Sequence, residues 1–145
     1  MGIYRWHAKR TLREVSVVRA AELDGELAGV ALLERLAPEV GYVYYVAVGL
    51  AHRRQGVGGA LLDDAAAGFR RDRAEVVYAA VEEENHASRR LFASRGFRVV
   101  GRDEPSFREG GLGAQGFRTR MWVVRGELLL GLRLAPPGTA AGGAR

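Results

Sequence analysis

Val46-Ala47-Val48-Gly49-Leu50-Ala51-His52-Arg53-Arg54-Gln55-Gly56-Val57-Gly58-Gly59-Ala60-Leu61-Leu62 is the stretch on which the reading of this chain turns. The residues before it, from Val40 to Val48, are nearly all apolar or aromatic, as a central strand requires. From Gly59 to Arg71 the residues Ala60, Leu61, Leu62, Ala65, Ala66 and Phe69 recur at helical spacing and predict a helix. A glycine-rich turn between a buried strand and a helix is physically an anion site: backbone N–H groups converge there and the helix N-terminus adds partial positive charge. Gly56 and Gly58 remove side chains where a phosphate must come close, and Arg53 and Arg54 add mobile positive charge. The expected ligand is a phosphate or diphosphate ester. Two familiar phosphate motifs do not fit. A P-loop needs Gly-Lys-Ser/Thr before its helix, which is missing. A dinucleotide fingerprint needs a third glycine where Leu61 stands. Glu75 lies at about the distance, roughly 20 residues, at which that fingerprint places an acidic residue, but one carboxylate at that spacing is common.

Upstream, Val15 to Leu23 is rich in β-branched residues and reads as a strand. Asp24-Gly25 is a two-residue hairpin signal, and Glu26 to Leu36 is the returning strand. Downstream, Glu75 to Val81 is a short buried strand. Asn85 is placed to cap a helix from His86 to Ser94, which Gly96 stops. Phe97 to Arg102 reads as a strand, Glu104 to Gly116 as a glycine-rich loop, and Phe117 to Val124 as a further strand, with Glu127 to Leu134 a candidate for one more. Pro136 to Arg145 is Gly/Ala-rich and expected to be disordered. Hairpins leading into βαβ units predict an α/β (α+β) fold with a mixed sheet.

The chain has 145 residues, which suits one domain over residues 1–145 with a core of about 15–126. Its 48% hydrophobic and 27% charged residues are those of a globular protein. No apolar run approaches the roughly 18 residues of a membrane-spanning helix, and no secretory signal opens the chain, so the expected compartment is the cytoplasm. With no cysteine, disulfides, thiolate metal sites and cysteine nucleophiles are excluded, and no metal site is expected. The net charge of +5 is almost all arginine, Lys9 being the sole lysine. These charges are scattered rather than gathered in a stripe, so nucleic acid is not an expected partner.

The strand–turn–helix string resembles the signature of the GNAT acetyltransferases, Arg/Gln-x-x-Gly-x-Gly/Ala after a strand ending in Ala-Val, with Arg53, Gly56 and Gly58 in the fixed positions. A second block agrees: Asn85-His86-Ala87-Ser88-Arg89-Arg90-Leu91-Phe92-Ala93-Ser94-Arg95-Gly96-Phe97 is similar to that family's Asn-x-x-Ala/Ser-x-x-Leu-Tyr-x-x-x-Gly-Phe segment. The resemblance spans about Val15 to Val124. It implies a mostly antiparallel sheet with a V-shaped splay between its central strands, helices on both faces, and a shortened N-terminal region, because only 14 residues precede Val15. It also implies acetyl-CoA as cofactor and an amine as acceptor, either a small molecule or a protein N-terminus or lysine. The short N-terminal region suggests an open acceptor cleft, or one completed by a partner subunit in a homodimer.

Carried over by residue, the resemblance implies that the pantetheine arm lies along Val46, Ala47 and Val48. The pyrophosphate sits on Arg53, Arg54, Gln55, Gly56, Val57, Gly58 and Gly59, with Asn85 and Phe92 beside the cofactor. The usual proton donor to the leaving thiolate is the tyrosine of the Leu-Tyr pair, and Phe92 stands there with no proton to give. A thiol pKa near 8.5 makes thiolate a tolerable leaving group without it. The carboxylate five residues before the asparagine is also missing, since Ala80 holds that place. Strand alternation puts Tyr78, Ala80 and Glu82 on one side, so Glu82 is the carboxylate on the expected face. Tyr42 holds another branch's glutamate position and shares a face with Tyr44. Catalytic candidates are therefore Glu82, Tyr44 and Tyr42. The alternative to an enzyme is a non-catalytic acyl-CoA-binding regulatory module.

Overall fold

The computed structural model describes residues 17–100 and 125–136. Strand β1 (Val17–Leu23) turns through Asp24 and Gly25 into β2 (Glu26–Ala37). Both turn residues have positive φ, 53° and 80°, as the type I′ hairpin signalled by Asp-Gly demands. Next come β3 (Val40–Val48), a 3-10 turn (Leu50–His52), helix α1 (Val57–Arg71), β4 (Val76–Glu82), helix α2 (His86–Ser94), β5 (Arg98–Val99) and β6 (Glu127–Arg133). The six strands form one sheet in the order β1-β2-β3-β4-β6-β5. Every pairing is antiparallel except β3 with β4, which α1 connects. This is the mixed, mostly antiparallel sheet expected from the sequence.

Two clusters cover the sheet. Val77, Ala79 and Val81 of β4 join Ala31, Leu33 and Val43 beneath Leu61, Leu62, Ala65 and Phe69 of α1 and Phe92 of α2. The intervening Val76 and Tyr78 join Leu36, Val40, Tyr42 and Val100 on the other face. Alternation along β4 therefore separates a helix face from a second face. Burying each large side chain stabilises the fold by about 1.5–3 kcal/mol. Both described helices lie on the helix face, so of the helices expected on two faces the described residues show one side only. The expected strand Phe117–Val124, the loop Glu104–Gly116 and the tail beyond Pro136 lie outside the described residues, as do Val15 and Ser16.

The site is positioned by the way β3 and β4 part. Their register covers Val40↔Val76 to Val43↔Ala79 and stops. Beyond it, β3 stays paired to β2 as far as Gly29↔Val48, and β4 stays paired to β6 as far as Glu82↔Glu127. The sheet thus opens as a V between its central strands, which was expected. A bulge accompanies the opening. The β2–β3 register passes from Leu33↔Val43 to Leu32↔Tyr45, so Tyr44 is an extra residue on β3. Such a bulge bends the strand and increases its twist, which carries the end of β3 away from β4.

Candidate active site

The end of β3 is tied down before the glycine turn begins. The Gly49 amide donates to the Ala28 carbonyl at 2.8 Å, and the His52 amide donates to the Gly49 carbonyl at 2.9 Å. His52 Nε2 lies 3.4 Å from Glu26 Oε2 at the hairpin. The turn then uses left-handed backbone at Arg54 (φ 62°) and Gly56 (φ 80°). Gly56 is the residue before α1 and offers no side-chain cap, and the first helical turn has no acidic residue. The Ala60 amide makes the first helical bond, to Gly56 O at 3.0 Å, so the amides of Val57, Gly58 and Gly59 precede it. Donors in this position have no acceptor within the helix and attract an anion. Arg53, Arg54 and Gln55 are exposed beside them. Arg53 Nε reaches back to the Val48 carbonyl at 3.5 Å, and Gln55 Nε2 to that of Ala51 at 3.5 Å.

Helix α1 begins at Val57, two residues before the start expected from sequence, and so takes in Val57 and Gly58 ahead of Gly59. These two glycines are buried, and their reason is packing. A Cβ on Gly58 would lie 2.9 Å from Leu91 Cδ2, and one on Gly59 would run into the Arg95 guanidinium. Arg95 in turn pairs with Asp63 at 3.0 Å. The space at Gly58 that the sequence reading assigned to a phosphate is taken up by α2. At Gly56, by contrast, a Cβ would meet nothing within 4 Å, and the positive φ is what calls for glycine.

Past the bulge, Val46 and Val48 turn to the helix face and pack against its core, half-buried along the open edge of β3, with Ala47 between them. Asn85 caps α2, its Oδ1 accepting from the Ser88 amide at 3.1 Å. Phe92 is 6% exposed and packs edge-on against Phe97, ring centroids 5.0 Å apart, as a core residue.

The second face at the splay is aromatic and acidic. Tyr42 and Tyr44 meet edge to face at 4.8 Å. Tyr78 lies beside Tyr42 in the β3–β4 register, and Tyr45 pairs with Leu32, so it too lies opposite Val43. Burial holds the Tyr42 phenol far above the ordinary tyrosine range, and Tyr44, Glu127 and Glu34 push it further the same way. Tyr42 is therefore a neutral hydroxyl at any working pH, able to donate a hydrogen bond and unable to serve as phenolate base. Glu82, exposed, ends β4 on the same face as Tyr78. The structure thus brings Tyr42, Tyr44 and Glu82 to one side of the splay, with Val46, Val48 and the glycine turn along its β3 edge.

Two carboxylates were missed. Glu34 stands across from Tyr42 on β2, and Glu127 stands across from Glu82 on β6. Glu34 left a faint signal, a charged residue directly after the strand leucines Leu32 and Leu33. Glu127 left none, because its place depends on a pairing between segments far apart in the chain.

Residues 3–97 match the sequence profile of the Acetyltransferase (GNAT) family. A search of curated protein sequences gave no match. Many solved structures share the fold. The ribosomal-protein-S18-alanine N-acetyltransferase of Escherichia coli is 18% identical with TM-score 0.66, over 92% of this chain and 79% of that one. A Bacillus subtilis acetyltransferase in complex with CoA is 19% identical with TM-score 0.68, over 90% and 84%. A GNAT family acetyltransferase from Elizabethkingia anophelis with acetyl-CoA bound is 17% identical with TM-score 0.68, over 90% and 83%. The profile match covers well over half of the chain and the sheet parts as this fold requires, so the chain belongs to the GNAT acetyltransferase family.

Proposed function

We propose that the protein is an N-acetyltransferase that uses acetyl-CoA to acetylate a primary amine, on a small molecule or a protein, by direct attack within a ternary complex. The observation that carries this is the continuity of two features. The edge of β3 that parts from β4 runs straight into a turn whose amides and exposed arginines favour a diphosphate. A pantetheine arm needs a strand edge for its amides, and a pyrophosphate needs a helix start; here one follows the other within a few residues.

The residues fit the cofactor. Val46, Ala47 and Val48 would line the arm. The amides from Arg54 to Gly59, with Arg53 and Gln55 at the rim, would hold the pyrophosphate. Asn85 uses Oδ1 as a helix cap, which leaves Nδ2 to face the cofactor, and Phe92 supports this wall from the core. When bound, acetyl-CoA supplies an activated acyl thioester. Backbone N–H near Val46 would orient its carbonyl and receive the developing negative charge. On the opposite side of the splay, Tyr44, backed by the buried Tyr42, walls the acceptor, and one of the carboxylates gathered at the mouth removes the ammonium proton. No proton donor occupies the Phe92 position, and thiolate departure then relies on its own stability.

Calorimetry with acetyl-CoA and thiol release across a panel of primary amines and N-terminal peptides test this. Binding with turnover of at least one amine is the expected result. Binding with no turnover of any acceptor would leave the regulatory acyl-CoA module as the reading, and no binding would remove both.

A further inference from the structure

Strands β4 and β6 stay paired to the tip of the splay, where Glu82 and Glu127 stand directly opposite each other. Like charges directly opposite each other in a sheet are destabilising unless other groups compensate them. Both project to the second face, since Glu127, Leu129 and Gly131 alternate with the helix-face Leu128 and Leu130, and Leu129 packs in the cluster that holds Tyr42 and Tyr78. The two carboxylates are not equivalent. Glu82 is exposed, whereas Glu127 is half-buried. Glu127, like Glu34, bears by its charge on the buried Tyr42 phenol. Its backbone is also fixed, because the Glu83 amide donates to the Gly126 carbonyl at 2.9 Å and locks the start of β6 to the end of β4. On a chain of net charge +5, carboxylates thus gather beside the tyrosines at the splay while Arg53 and Arg54 flank the phosphate-binding turn.

Resting on the acetyl-transfer reading above, we infer that Glu127 is the general base of the reaction, and that Glu82 is an outer charge that draws the cationic acceptor to the mouth of the cleft. An alkylammonium, with a pKa near 10.4, carries its proton at neutral pH and has no lone pair for attack. Glu127 accepts one N–H proton, leaving a neutral amine against Tyr44. The nitrogen forms a bond to the acetyl carbon as the C–S bond breaks, the sulfur leaves with the electron pair, and the nitrogen's second proton ends on the sulfur. The products are the N-acetyl amine, free coenzyme A thiol and, once Glu127 returns its proton to water, the starting enzyme.

The test is the pH profile of kcat and kcat/KM for wild type, Glu127→Gln, Glu127→Asp and Glu82→Gln, with the amine of the panel that wild type turns over fastest. Acetyl-CoA affinity by calorimetry serves as the check on folding. Glu127→Gln is expected to lose about 10²-fold or more in kcat at neutral pH and to recover as pH rises toward the amine's own pKa, with cofactor affinity unchanged. Glu127→Asp is expected to keep the wild-type shape of the profile at a reduced rate. Glu82→Gln is expected to raise KM, with kcat within about threefold of wild type. A Glu127→Gln variant with wild-type kcat and profile overturns the assignment, as does a larger loss of kcat in Glu82→Gln. If Glu127→Gln fails to bind cofactor, the aspartate variant decides: an altered profile shape there overturns the assignment too. Wild type that binds acetyl-CoA and turns over no amine overturns the acetyl-transfer reading itself, which distinguishes the two failures.

Discussion

At residue scale, the glycines of the signature divide into two kinds, and the division is measurable. Gly56 has φ 80° and open space around its α-carbon. A side chain there meets no neighbour and costs about 1–2 kcal/mol of left-handed backbone strain. Gly56→Glu should therefore fold, melt modestly lower, and lose acetyl-CoA binding by more than about tenfold, because a carboxylate then faces the pyrophosphate. Unchanged affinity by calorimetry would remove the turn from the cofactor site. Tyr42 supports a second prediction. Its phenol, ordinarily near 10.0, is raised in the fold by burial first and then by Tyr44, Glu127 and Glu34. A raised value means the fold favours the neutral form. That stability is fully present below the unfolded-state pKa and is lost as pH climbs above it. The protein should destabilise above about pH 10, the Tyr42 phenol should resist ionisation in an ultraviolet titration until unfolding, and Tyr42→Phe should flatten the alkaline slope. An equally steep slope in Tyr42→Phe would show that the group responsible lies elsewhere.

At the scale of elements, α2 rests on the first turn of α1 through Leu91 against Gly58 and Arg95 against Gly59. Alanine at Gly58 gains helix propensity, about 1 kcal/mol at most. It also drives a methyl to 2.9 Å from Leu91 Cδ2 and 3.5 Å from Val48 Cγ2, and overpacking of this kind costs about 1–3 kcal/mol. The net expectation is a loss of about 1 kcal/mol in chemical denaturation. Leu91→Ala, costly alone, should recover part of it in the double variant, a coupling that a cycle reads directly. Strict additivity would show that the contact carries no energy. This helix pair also marks the limit of what the sequence discloses. β3 and α2 run over the same residues in sequence and structure, because each is bounded by strong local signals, Pro38 and Gly49 for one and Asn85 and Gly96 for the other. The start of α1 was placed late because glycine reads locally as loop, whereas here it is required by a neighbour that sequence does not show. The bulge at Tyr44 and the place of Glu127 were illegible for the same reason: register between distant strands is fixed by packing and not by any local pattern.

At the scale of the whole molecule, the described part of the sheet is two three-stranded halves joined along a short seam. β1, β2 and β3 form one half and β4, β6 and β5 the other, and among the described residues only Val40–Val43 and Val76–Ala79 hold them together strand to strand. On the helix face, α1 packs against β2, β3 and β1, on one half of the sheet. A ligand that lies in the open part of the V, paired to β3 on one side and covering β4 on the other, completes a division that the backbone leaves unfinished. Ligand bound to the folded state alone stabilises it by about 2.7 kcal/mol at one hundred times its dissociation constant. Acetyl-CoA should therefore raise the melting temperature in a concentration-dependent way. Hydrogen exchange should locate the gain at Tyr44–Val48, Ala80–Glu82 and the first turn of α1, with the outer β1–β2 hairpin exchanging as before. Protection confined to the glycine turn would mean that the phosphates bind while the arm stays out of the splay, and the strands would then have parted for some other occupant. Adenosine 3′,5′-diphosphate, which carries no pantetheine arm, supplies the control: it should protect the turn and leave both open strand ends as they are in the free protein.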